Sequence, residues 1–128
     1  MENKAFFINI NKSIKVTAED IDDIMCSALV GGINYWCNEI EVVGKWLGEC
    51  ASEQISRGGV LLLHDAEEDE VYELTLEKLL NGIKQAAEEN FYAEYEWVLG
   101  DGIDTCQVDA EVADCIIQLA LFNEIVFG

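Results

Sequence analysis

Gly58-Gly59-Val60-Leu61-Leu62-Leu63-His64-Asp65-Ala66-Glu67-Glu68-Asp69-Glu70-Val71-Tyr72-Glu73-Leu74-Thr75 is the stretch from which the fold is read. Four consecutive apolar residues follow a glycine pair, then comes an acidic turn, then an alternating Val/Tyr/Glu/Leu run. That order predicts a core strand hairpinned to its neighbour, with the first strand at the centre of a sheet. The turn holds Asp65, Glu67, Glu68, Asp69 and Glu70, which repel one another and must be solvated or face a cationic partner.

Working upstream, Phe6–Ile10 and Ile14–Val16 flank Asn11-Lys12-Ser13, a pattern for a short hairpin. Thr17 precedes Ala18-Glu19-Asp20, so a capping hydroxyl and two acids stand where a helix begins. Ile21, Ile24, Met25, Ala28 and Leu29 mark its buried face, and Gly31-Gly32 its stop. The aromatic content of Ile33–Cys37 predicts a strand, and Ile40–Val43 either continues it past a bulge or pairs with it. A short helix is expected from Trp46 to Ser56, with Leu47, Cys50, Ala51 and Ile55 inward.

Downstream, Leu76, Leu79, Leu80, Ile83 and Ala87 predict a helix reaching about Asn90, weakened by roughly 1 kcal/mol at Gly82 relative to alanine. Residues 91–98 alternate as a strand does, before a turn at Gly100-Asp101-Gly102. Asp109 is placed to cap a last helix, with Val112, Cys115, Ile116 and Leu119 inward and Glu111, Asp114 and Gln118 outward. Glu124–Phe127 reads as a short closing strand. With no proline, repeat or linker, the expectation is a single compact α+β domain over residues 1–128, mainly antiparallel sheet with three or four helices.

Composition bounds the function. A hydrophobic fraction of 51% excludes a disordered acidic tail, so the net charge of −19 sits on a packed domain. Residues 1–64 carry nine acids against five bases, and residues 65–128 seventeen against two, so the net charges are −4 and −15. Direct nucleic-acid binding and binding to an anionic membrane are disfavoured, since both need clustered Lys and Arg. The N-terminus carries no leader pattern and no run approaches the roughly 18 apolar residues of a membrane span, so a cytoplasmic protein is expected. Five cysteines without close spacing predict reduced thiols and no zinc site.

The motifs give no catalytic set. His64 and Asp65 are adjacent on a strand and point to opposite faces, so they form a dyad only if the strand ends between them. No cofactor and no metal are assigned; the acidic turn lacks the ligand spacing of a calcium loop. Two binding sites are considered. The acidic surface could occupy a basic partner, with Glu67, Glu68, Asp69 and Glu70 as first contacts and Glu94, Glu96, Asp101 and Asp104 next. Alternatively Arg57 with the Gly58-Gly59 turn, and an aromatic from Tyr35 or Trp36, could hold a nucleotide signal. Spread evenly over roughly 7,000 Å² of surface, the charge amounts to one per about 360 Å², against one per about 110 Å² on a DNA cylinder. Only a gathered patch approaches a duplex.

Glu19–Met25, Gly31–Cys37, Glu41–Gly44, Gln54–Gly59, His64-Asp65, Asp104–Cys106 and Ala120–Glu124 resemble a family of uncharacterised small acidic proteins from phages, prophages and mobile elements of Firmicutes. The resemblance implies a context, a mobile-element protein in a bacterial cytoplasm, and supplies no site residues. In that context the acidic domain is expected to occupy a basic, nucleic-acid-handling host protein, as some anti-CRISPR and other anti-defence proteins do. No enzymatic role is expected.

Overall fold

The computed structural model describes residues 4–10, 13–89 and 97–128. The chain opens with the antiparallel pair β1 (Ala5–Asn9) and β2 (Ser13–Thr17); residues 11 and 12 of its expected turn lie outside the described residues. Helix α1 (Ala18–Ser27) starts at the expected cap, where the Thr17 hydroxyl accepts from the Asp20 amide at 3.0 Å and the Asp20 carboxylate accepts from the Thr17 amide at 2.9 Å. Ile21, Ile24 and Met25 are buried as the periodicity requires. The helix then widens into a π turn, Ala28–Gly32. Gly32 is fixed by packing, since a Cβ there would stand 2.8 Å from the Ala110 carbonyl oxygen.

Two expected elements upstream of the central strand are changed, and each gives way to hydrogen bonds that periodicity does not register. Residues 33–36 form a turn in place of the expected strand: the Trp36 and Cys37 amides both donate back to Ile33 O, and β3 runs only from Cys37 to Val42. The expected helix 46–56 reduces to a 3₁₀ turn at Ala51–Glu53. Ahead of it, Glu53 accepts from the Glu49 and Cys50 amides and Gln54 bridges Leu47 N and Lys45 O. The Glu53 contact with Cys50 is half of a capping box that sets the start of the turn at residue 51, so residues 46–50 stay outside it; Ile55 is buried, while Trp46 and Leu47 are exposed.

The central strand is as expected. β4 (Leu61–Asp65) lies between β3 and β5 (Val71–Leu74) in an antiparallel three-stranded sheet. The sheet is one-sided: Leu61, Leu63 and Leu74 are buried, while Leu62 and His64, half-buried, face outward with Glu39, Glu41, Val71 and Glu73.

Helices α2 (Leu76–Glu89) and α3 (Ala110–Phe122) complete the core. Their close approach reverses the expectation at Gly82. A Cβ there would collide with the Ile116 carbonyl oxygen and stand 2.8 Å from Ala120 Cβ, so glycine is required at the crossing. Between the helices, β6 (Val98–Leu99) and β7 (Gly102–Ile103) pair around the expected turn, with Gly100 at φ +63°. Of the strand expected at 91–98, residues 91–96 lie outside the described residues.

Asp109 caps α3, accepting from Val112 N at 2.9 Å. Every residue from Val112 to Ala120 is buried, including Asp114 and Gln118, which the period had placed outward. The expected closing strand is not formed: the Val126 and Phe127 amides both donate to Gln118 Oε1 at 2.8 Å. A side chain takes the place of a partner strand. The whole is one compact α+β domain with three α-helices and seven strands in three small antiparallel sheets among the described residues.

Candidate partner-binding surface

The β4–β5 turn is built around Asp65, the one acid of the turn that points inward. Its Oδ1 accepts from the Glu67 amide at 2.8 Å and the Glu68 amide at 3.2 Å, and its Oδ2 from the Tyr72 hydroxyl at 3.1 Å. The Glu67 amide leads these contacts in holding the Asp65 carboxyl below its ordinary range, against the opposing effect of burial. Asp65 N donates to Glu70 O, and Ala66 N to Trp36 O. Asp69 takes the left-handed conformation at φ +56°, which aspartate tolerates better than most residues.

The consequence is a pinned loop with Glu67, Glu68, Asp69 and Glu70 all exposed. Four consecutive Cα atoms span at most about 11 Å of chain, a length over which a duplex carries six or seven charges. The tip therefore reaches at least roughly three-fifths of the linear charge density of DNA. Glu39, Glu41 and Glu73 extend the acidic surface along the outer face of the same sheet. Two of these three come from the first half of the chain, so tertiary pairing, and not the charge asymmetry of the halves, assembles the surface. The nearby Lys78 directs its ammonium to the Glu73 carbonyl at 2.8 Å, leaving the carboxylate charge in place.

Asp101 and Asp104 lie on other elements. Asp101 belongs to the β6–β7 turn, where its carbonyl accepts from Lys15 N at 2.7 Å. Asp104 caps a 3₁₀ turn at Thr105–Gln107, accepting from Cys106 N, and Thr105 donates to Asp23 of α1 at 2.9 Å. Glu94 and Glu96 lie outside the described residues.

The residues of the nucleotide alternative are also separated in their bonding. Gly58 N donates to Ile55 O and Gly59 N to Gln54 O, so both amides that would cradle an anion serve the turn itself. The Arg57 charge acts on Asp22 and Glu53. Trp36 is buried, its Nε1 bonded to Asp114 Oδ1 at 2.8 Å, and Tyr35 donates to Asp114 Oδ2 at 2.6 Å. No family model, curated protein or solved structure matches this chain.

The Asp114 cluster was missed in the sequence because helical period and polarity both point it outward. It also receives Gln118 Nε2 at 3.0 Å, and beside it Phe127 stacks on Trp36 at 4.7 Å and 8°. A 370 Å³ cavity lies against Tyr35, Asp114, Gln118 and the tail. The carboxylate has three donors, so the cluster reads as architecture that fastens α3, the 33–36 turn and the C-terminal segment together. His64 and Asp65 both sit within β4 on opposite faces, and the His64 ring faces Glu41 at 3.1 Å. No helix among the described residues is long and apolar enough to cross a membrane.

Proposed function

We propose that this is a phage or mobile-element binding protein of the bacterial cytoplasm whose rigid acidic turn occupies a basic surface on a host protein, in the manner of an anti-defence inhibitor that imitates nucleic acid. The observation that supports this reading is the pinned display of Glu67, Glu68, Asp69 and Glu70 around the inward-turned Asp65. Preorganisation matters because a loop already held in its binding shape loses little conformational freedom on association. Exposed carboxylates of one sign raise the encounter rate with a cationic surface, and that advantage falls with salt, whose screening length is about 8 Å at physiological ionic strength.

Asp101 and Asp104 are not needed for this contact. The test is capture from host lysate by the immobilised protein and by a variant carrying E67Q, E68Q, D69N and E70Q. The reading requires a basic, nucleic-acid-handling protein that the parent retains at low salt, that duplex DNA displaces, and that the variant loses. Equal capture by both proteins, or capture of no cationic protein at low salt, would refute it.

A further inference from the structure

His64 is the single histidine of the chain, and its position in β4 sets its neighbours. Glu39 is its direct cross-strand partner and Glu41 follows on the same face of β3. The Nε2 of His64 is 3.1 Å from Glu41 Oε1. One donor atom from each of the three side chains lies within 4.8 Å of the other two. Donors bonded at about 2.1 Å to one tetrahedral ion stand roughly 3.4 Å apart. One pair is thus already at ligation spacing, and a rotation of an exposed glutamate closes the rest.

Two carboxylates on a sheet would by themselves be a solvated surface. The imidazole directly across the strand distinguishes this trio, and so does the register shift of β3 between Cys37 and Glu39. Such irregularities re-aim side chains; here the shift sets Glu39 opposite the ring. The remaining outward positions of β4 and β5 are Leu62, Val71 and Glu73, so no lysine or arginine stands at a strand-paired position beside Glu39 and Glu41, where like charges on one face are unfavourable.

We propose that Glu39, Glu41 and His64 form a surface site for a divalent transition ion of the Zn²⁺ class. Imidazole with carboxylates suits zinc, cobalt, nickel and copper, whereas Mg²⁺ and Ca²⁺ prefer oxygen donors alone. Three protein donors leave at least one coordination position open, which water or a side chain from another protein can fill. The site lies on the sheet face that continues the acidic surface from the turn, but it uses none of the four turn carboxylates and does not depend on their partner-binding role.

The test is a Zn²⁺ titration followed by the imidazole ring resonances of His64, which are free of overlap because no other histidine is present. The exposed Cys26, Cys50 and Cys106 are replaced by serine in the protein used, so that thiolates do not compete. Binding at the site gives a saturable shift at one equivalent. The Glu39→Gln/Glu41→Gln variant, with its fold checked by circular dichroism, then binds at least about tenfold more weakly, the least expected when even a supporting partner of a ligand is lost. A His64 ring that does not respond to equimolar Zn²⁺, or a double variant that binds as tightly as its parent, would overturn the proposal.

Discussion

Asp65 and Asp114 are both inward-pointing aspartates, yet they hold together different kinds of structure. Asp65 works locally, tying amides two and three residues on and a tyrosine seven residues on, and its product is an exposed acidic tip. Asp114 works across the chain, joining Tyr35 and Trp36 from nearly eighty residues away to Gln118 on its own helix. The first organises a surface for display. The second, with Gln118, ties together segments far apart in the chain. The lesson is that in a strongly acidic protein a carboxylate's role depends on where its donors come from, not on its charge.

Breaking the interior side should have the largest effect. Asp114→Ala leaves the Trp36 indole N–H, the Tyr35 hydroxyl and the Gln118 amide without their acceptor, and each buried donor so orphaned costs about 1–3 kcal/mol. Urea unfolding monitored by tryptophan fluorescence should show a midpoint lowered accordingly; an unchanged midpoint would reduce Asp114 to an ordinary surface acid.

Gly82→Ala sharpens the same side. Helix propensity alone favours the alanine by about 1 kcal/mol, but overpacking against the backbone of α3 costs about 1–3 kcal/mol, so the substitution should destabilise. Thermal denaturation gives the sign directly, and a stabilised variant would mean that α2 and α3 do not approach as described.

Alkaline titration probes the interior side by pH. Burial, aided by the Asp114 hydrogen bond, raises the Tyr35 hydroxyl above its ordinary value, and burial pushes the Cys115 thiol up to about 12. Between about pH 9, where an unfolded thiol deprotonates, and the raised folded values, the native state holds more protons than the unfolded one. Stability therefore falls as pH rises through that window. The three exposed thiols should react promptly with a disulfide reagent at pH 8, and Cys37 and Cys115, both buried, only on unfolding. Five promptly reactive thiols would contradict this assignment.

The smallest stability effect belongs to the display side. Neutralising Glu67, Glu68, Asp69 and Glu70 together should change unfolding free energy by no more than about 0.5 kcal/mol, with any gain confined to low salt, where their mutual repulsion is least screened. A large loss of stability would show that these four side chains support the fold, and the contrast with Asp114 would disappear.

The elements that read correctly from sequence are those whose signal is local. Thr17 and Asp109 cap helices with their own side chains, the β4–β5 hairpin follows from its apolar run and acidic turn, and the α2 face follows its period. The misread elements share one cause. The turn at 33–36, the loop at 46–50 and the tail at 124–127 each have backbone amides satisfied by a carbonyl or side chain that hydrophobic period does not count. The candidate surface was half legible: the turn acids were visible as a run, whereas Glu39, Glu41 and His64 came together only through strand register.

The sequence by itself determined an acidic α+β domain, its central hairpin and the acids at that hairpin's tip, because composition, local capping and short-range period are properties of neighbouring residues. Only the tertiary structure decided that Asp65 and Asp114 turn inward, that Gly82 is needed at the helix crossing, and that first-half glutamates join the acidic sheet face. Those outcomes depend on which distant donors, backbones and strands meet, and the contacts that decide them are made only once the chain has folded.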